Sequence, residues 1–134
     1  MASITIPDKP DDRFWRIQNL YLIKTKSRGL SQLKFNDCQD RIIKVIKDTL
    51  AAHKPLLHYD LKFRQGGVST LWELFYLDDT IFTPNTSTCI LAQKQESLGH
   101  LWEIVRLAHE TMPDGYKPRT SQDTARSLTF SDIK

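Results

Sequence analysis

Cysteine is scarce in this chain, with two in 134 residues. Cys38 and Cys89 form no CxxC motif and too few bridges for a disulfide-stabilised fold, so we predict buried, reduced thiols. No apolar run reaches the roughly 18 residues that a membrane-spanning helix needs. Residues 1–12 contain no basic segment followed by an apolar one, which is the pattern of a secretory signal. These absences predict a cytoplasmic protein with no membrane association.

Internal repeats and low-complexity tracts are also missing, and the composition is typical of a single globular domain, with 40% hydrophobic and 26% charged residues. The net charge of +3 is unevenly spread. Residues 1–70 hold thirteen Lys or Arg against seven Asp or Glu, whereas residues 71–110 hold two against six. The basic half either faces nucleic acid or nucleotide, or is an ordinary solvated surface.

The chain divides into a predicted flexible tail, residues 1–12, and one domain, residues 13–134. Residues 13–35 give no firm prediction beyond a turn at "KSRG". Asn36 or Asp37 is a suitable cap for a helix that Pro55 ends. The residues at helical spacing predict one buried face: Cys38, Ile42, Val45, Ile46, Thr49 and Leu50.

Beyond that helix, the pattern alternates between strand and helix. "LLHYDLKF" (56–63) has a strand period, "TCILA" (88–92) is a short apolar strand, and "RSLTF" (126–130) begins a third. A mostly apolar helix follows residue 67, and an amphipathic helix covers residues 93–110. This order predicts an α/β fold with a parallel sheet and flanking helices, incomplete at its C-terminal end.

A glycine pair separates strand from helix in "LKFRQGGVST" (61–70). A phosphate-binding loop needs a strand, then glycines whose backbone N–H groups surround the phosphates, and then a helix that begins with a hydroxyl to hold Mg²⁺. If Gly67 is the second glycine of G-x-x-x-x-G-K-[ST], Ser69 takes the hydroxyl position and Val68 stands where lysine is usual. The strict pattern therefore fails, and the glycine pair alone also fits a structural turn.

A lysine is nevertheless present, because Lys62 occupies the first-glycine position of the pattern. An ammonium on a flexible stem is a point charge that reaches the same phosphates from either end of the loop. Arg64, inside the loop, adds a forked donor suited to phosphate oxygens. The loop is therefore predicted to bind phosphate with a displaced lysine.

Several segments resemble one protein family. "LKFRQGGVSTL" resembles the altered Walker A motif of the large terminase subunits of tailed bacteriophages, whose loops read R-Q-x-G-x-[ST]-T behind a leading lysine. "KFNDCQ" (34–39) resembles their adenine-recognition segment. "STCILAQKQESLGHLWEIVRLAHETMP" and "SLTF" resemble the strand–helix unit and the strand that follow the loop. The resemblance covers about residues 14–130, and implies that residues 13–134 are the N-terminal part of a RecA-like P-loop NTPase domain.

The resemblance implies ATP and Mg²⁺ as cofactors. Lys62 would contact the phosphates, Arg64 would be catalytic by stabilising charge on the transferring phosphoryl group, and Ser69 would ligate Mg²⁺. The amide of Gln39 would read the adenine edge. The implied nucleotide-binding set is Gln39, Lys62, Arg64, Gln65, Gly66, Gly67, Val68, Ser69 and Thr70.

The implied function is an ATP-driven motor that packages viral DNA into the procapsid, in the bacterial host cytoplasm. Its implied partners are double-stranded DNA, the phage portal protein, the small terminase subunit and, in the full-length motor, further copies of the same subunit. Two alternatives stay open: a non-catalytic nucleotide-binding or assembly module of the same fold, and a helicase-like P-loop ATPase.

Hydrolysis also needs an acidic pair at the end of a later strand, to hold Mg²⁺ and polarise the attacking water. "LFYLDD" (74–79) looks like such a strand, but it begins five residues after Ser69, inside the predicted helix. We therefore interpret Asp78 and Asp79 as a helix end that turns into solvent. The four histidines lack metal-ligand spacing and are predicted to be surface or capping residues.

Because no other candidate for the catalytic acidic pair lies between Ser69 and Lys134, we predict weak nucleotide binding and negligible ATP hydrolysis by this chain alone. Phosphate release by the purified 134-residue chain measures this directly. Turnover above the background of an Arg64→Ala variant would contradict the prediction.

Overall fold

A computed structural model of the protein describes residues 11–27, 29–61 and 65–131. Its elements in chain order are α1 (Arg13–Asn19), β1 (Leu22–Thr25), β2 (Gly29–Gln32), α2 (Asp37–Ala51), α3 (Val68–Phe82), α4 (Gln95–Glu110), β3 (Thr120–Asp123) and β4 (Leu128–Phe130). Most of the predicted flexible tail lies outside the described residues. Asp12 caps α1 by accepting hydrogen bonds from the backbone N–H groups of Phe14 and Trp15, at 2.9 and 3.2 Å.

The predicted parallel, RecA-like sheet is wrong for the described residues. They form two separate two-stranded sheets, β1 with β2 and β3 with β4, and both are antiparallel. The described part of the predicted strand at 56–63 and the whole of 88–92 belong to no strand. Part of the third predicted strand exists as β4, but it pairs antiparallel with β3.

Residues 56–61 show why the alternating pattern predicted a strand that does not form. Their alternation is real, but the apolar side chains of Leu57, Tyr59 and Leu61 are 85%, 101% and 106% exposed. His58 and Asp60 instead lie on the more buried side. Alternation predicts two faces without saying which one is covered. A strand assignment also requires a partner, and none of the described residues pairs with this segment.

The three long helices were predicted correctly, and α2 has the clearest end signal. Asn36 and Gln39 form a capping box at the start of α2, in which each side chain bonds the other residue's backbone N–H. The buried face of α2 is shifted from the prediction. Val45 and Leu50 are exposed, and the buried residues are Gln39, Ile42, Ile43 and Ile46.

Helix α3 is the centre of the molecule, and α1, α2 and α4 all pack against it. Its apolar composition predicts burial, which the structure confirms. The buried side chains of α3 are Val68, Leu71, Leu74, Phe75, Leu77, Asp78 and Ile81. Residues 13–35 complete the core as α1 and the β1–β2 hairpin, through Ile17, Leu20, Tyr21 and Leu33.

Asp78 is fully buried, so the prediction that it turns into solvent is wrong, although it does lie inside the helix as expected. Arg16 donates to its carboxylate through Nε and Nη2, at 2.9 and 2.7 Å, and the Tyr21 hydroxyl donates at 2.9 Å. Burial raises the pKa of Asp78, and the Arg16 and Tyr21 hydrogen bonds oppose that rise. This triad fixes α3 against α1 and the chain that follows α1.

The predictions about the two cysteines and about membrane-spanning helices can be compared with the structure. Cys38 and Cys89 are free thiols, but Cys38 is half-buried and Cys89 exposed, so burial was predicted wrongly. Within residues 11–27, 29–61 and 65–131, no helix combines the length and apolar character required to cross a membrane.

We predict that Asp78→Asn lowers the free energy of unfolding by about 3 to 5 kcal/mol, because it leaves the buried Arg16 guanidinium without its counter-charge. Urea unfolding followed by circular dichroism measures the loss. The matched control is Asp79→Asn, which removes a partly exposed ion pair to Arg13 (Nη2 to Oδ1, 2.6 Å) and should cost about 1 kcal/mol or less. Equal losses in the two variants would contradict the assignment.

Candidate functional site: the glycine loop at the start of α3

The described part of the loop, residues 65–67, has a backbone that favours glycine. Gly67 is the N-cap of α3 and adopts a left-handed conformation, with φ 72° and ψ 8°. Gln65 also has a positive φ, 69°. L-residues rarely adopt this conformation because of contact between Cβ and the backbone. The second glycine of the motif is therefore required by the turn that starts the helix.

The start of α2 holds this loop in place. Asn36 Nδ2 donates to the Gly66 carbonyl at 3.2 Å, and Gln39 Nε2 donates to the Gly67 carbonyl at 2.9 Å. These two side chains also form the capping box of α2. One pair of residues therefore caps one helix and anchors the loop that opens the next, which places the N-terminal ends of α2 and α3 side by side.

The N-terminus of α3 is electrostatically suited to an anion. Its first helical hydrogen bond runs from Leu71 N–H to the Gly67 carbonyl, so the N–H groups of residues 68–70 have no acceptor within the helix. The N-cap, Gly67, has no side chain with which to cap this end, and the first turn contains no acidic residue. The partial positive charge of the helix dipole is therefore not offset by a carboxylate within that turn.

Val68 explains the missing lysine of the strict motif. Its side chain is only 3% exposed and belongs to the hydrophobic core. A lysine at this position would bury an ammonium among apolar side chains, which is costly. Any cation of the loop must therefore come from another position. Lys62 and Arg64, the two cations predicted to serve, lie outside the described residues.

Gln39, which the resemblance assigns to adenine, lies beside the loop, and its side chain is 1% exposed. Its amide oxygen accepts from the Asn36 N–H at 3.0 Å, and its amide nitrogen donates to the Gly67 carbonyl. A base could reach this amide only if the contacts between α2 and the loop opened. In this conformation Gln39 organises the loop.

Ser69 and Thr70 lie half-buried in the first turn of α3, where the motif requires a hydroxyl for Mg²⁺. Within the described parts of the chain, no group of three or more His, Cys, Asp or Glu side chains is arranged to hold a metal ion. Asp78 and Asp79 lie further along α3 and are paired with Arg16 and Arg13. A Mg²⁺ ion at the loop would therefore depend on a hydroxyl, phosphates and water.

Sequence reasoning missed a polar contact that holds the chain before the loop. Trp72 Nε1 donates to Asp60 Oδ2 at 2.5 Å, and His58 Nδ1 lies 3.0 Å from Asp60 Oδ1. The imidazole and indole rings are 5.4 Å apart. This contact ties residues 58–60 to the second turn of α3. The only hint in the sequence was the spacing of His58 and Asp60, with an indole twelve residues beyond Asp60. This spacing is not typical of any known motif, so it could not be used to predict the contact.

The chain matches no protein-family model, and no curated protein sequence matches it. The resemblance to large terminase subunits therefore rests on the sequence segments quoted above alone.

We predict that Gly67→Ala destabilises the protein by about 2 kcal/mol, since it combines left-handed strain with loss of a hydrogen bond. A Cβ at this position would lie 2.7 Å from Gln39 Nε2. Gly29 is a matched control because it has nearly the same φ, 69°, with no atom within 4 Å of an added Cβ. Gly29→Ala should cost about 1 kcal/mol. Urea unfolding compares the two, and equal costs would show that the Gln39 contact contributes nothing.

Proposed function

We propose that the loop at residues 62–70 binds the phosphates of a nucleotide, and that ATP with Mg²⁺ is its ligand. The main supporting observation is the Gly66–Gly67 turn, which opens α3 directly after two cations in the sequence. Backbone N–H groups and the helix dipole favour an anion at that point. Lys62 and Arg64 would add the charges that a tri- or diphosphate requires.

The fixed carbonyls of the loop support this proposal. The Gly66 and Gly67 carbonyls accept hydrogen bonds from Asn36 and Gln39. The backbone of these two glycines is therefore fixed against the start of α2. A loop held in this way loses less conformational entropy when it binds, because its backbone is already ordered. Gln65, Val68, Ser69 and Thr70 would contribute backbone N–H groups or hydroxyls, and Ser69 would be the Mg²⁺ ligand.

The proposed wider role is that of a DNA-packaging motor subunit in the bacterial host cytoplasm, with double-stranded DNA, a portal protein and a small terminase subunit as partners. Support comes from the resemblance of the loop and of residues 34–39 and 87–113 to large terminase subunits, and from the basic excess in residues 1–70. Fluorescence anisotropy of labelled duplex DNA, with and without Mg·ATP, tests the DNA contact. No binding in either condition would contradict it.

Isothermal titration calorimetry with Mg·ATP tests the phosphate site. We predict that Lys62→Ala weakens binding roughly tenfold or more, the effect of losing one charge-assisted contact. Lys44→Ala is a matched control because Lys44 is exposed on α2, away from the loop. This variant should bind as wild type does.

Two further variants separate the displaced-lysine proposal from the ordinary motif. Arg64→Ala should also weaken binding, whereas Val68→Lys should destabilise the fold without restoring binding to Lys62→Ala, because Val68 is a core residue. Wild-type affinity in Lys62→Ala would contradict the proposal. So would recovery of binding in the Lys62→Ala, Val68→Lys double variant.

A further inference from the structure

A second concave site lies between α3, α4, residues 86–90 and the turn and strand at residues 125–130. Its volume is about 420 Å³, within the range of small-molecule sites in proteins. The apolar part of its wall is formed by Leu77, Ile90, Leu98, Val105, Leu128 and Phe130. None of the described residues that line this cavity belongs to the glycine loop, so the two sites are treated separately.

Trp102, on α4, supplies an unused hydrogen-bond donor at this cavity. Its ring is part of the lining, and its Nε1 atom is buried without an acceptor among the described residues. Buried indole N–H groups usually have a partner, because desolvation without a hydrogen bond is costly. Trp72 follows that rule through Asp60. The Trp102 donor therefore indicates a missing acceptor.

Glu73, on α3, supplies an unpaired acid at the same cavity. Burial raises the pKa of its carboxyl to about 7. No Lys or Arg of the described residues forms an ion pair with it, although Arg126 also lines the cavity. A carboxylate in apolar surroundings gains most from a cation that enters the same space, since the two charges then share a poorly solvated site.

We propose that this cavity binds a small, mainly apolar molecule that carries a protonated amine and a hydrogen-bond acceptor. The amine pairs with the Glu73 carboxylate, the acceptor receives the Trp102 N–H, and the apolar body contacts the wall between α3 and α4. Both polar groups then gain the partners they lack, and the apolar wall is covered.

The test uses two probes of nearly equal shape, 4-methoxyphenethylamine and 2-(4-methoxyphenyl)ethanol, titrated into the full chain. Nuclear magnetic resonance of the indole N–H groups reports on Trp102, with Trp72 as an internal reference whose bond to Asp60 should be unaffected. The Trp102→Phe variant assigns its signal. We expect both probes to shift the Trp102 signal, and the amine to bind about tenfold more tightly than the alcohol.

Glu73→Gln should remove the preference for the amine and leave the alcohol unchanged. The control is Glu103→Gln, because Glu103 lies on α4 with its side chain 82% exposed, outside the cavity, and it should behave as wild type. Equal affinities of the two probes for wild type would overturn the proposal. An unshifted Trp102 signal at millimolar amine would overturn it as well.

Binding of the amine should strengthen as the pH rises from about 6 to about 8, because Glu73 loses its proton over that interval while the amine keeps its own. Among the described residues, the other titratable or charged groups that line the cavity are Tyr76, Cys89 and Arg126. Affinity for the alcohol should not follow this profile. An amine affinity independent of pH would contradict the pairing with Glu73.

Discussion

The buried Asp78 carboxylate determines where α3 lies, and both sites depend on α3. Arg16 and Tyr21 approach this carboxylate from α1 and from the start of the hairpin, so three separate pieces of chain meet at one charge. Burial raises the pKa of the Tyr21 hydroxyl well above its usual value, and the hydroxyl therefore remains a donor at neutral pH. A buried ion pair adds little net stability, but removing one partner is costly. The triad thus fixes one arrangement of the helices.

The other end of α3 is fixed by the contacts of Asn36 and Gln39 with the Gly66 and Gly67 carbonyls. The helix that presents the glycine loop is therefore held at both ends. The side chain that an ordinary motif would use as its lysine points into the core as Val68. The positive charge of an anion site at this loop therefore cannot come from residue 68, and we propose Lys62 and Arg64, which precede the glycines in the sequence.

Local signals were sufficient to predict the three long helices from the sequence. Helix ends are set by capping and by proline, which act within a few residues. Examples are Asn36, Gly67 and Pro55. The sheet could not be predicted in this way, because strands depend on partners distant in the sequence. Residues 56–61 alternate, yet Leu57, Tyr59 and Leu61 face solvent. Asp78 was misassigned for the same reason, since its counter-charge is 62 residues away. The Glu73–Trp102 cavity likewise joins residues that no local pattern connects.

The phosphate site that we propose is formed by the backbone around the start of α3, with Mg·ATP as its ligand. Amide chemical shifts of the full chain, recorded by ¹H–¹⁵N correlation spectroscopy during titration with Mg·ATP, test it most directly. We expect the largest shifts at residues 66–70 and smaller ones at Asn36 and Gln39, and we expect tripolyphosphate to reproduce them. Unshifted amides at residues 66–70, with any changes confined to other parts of the chain, would contradict it.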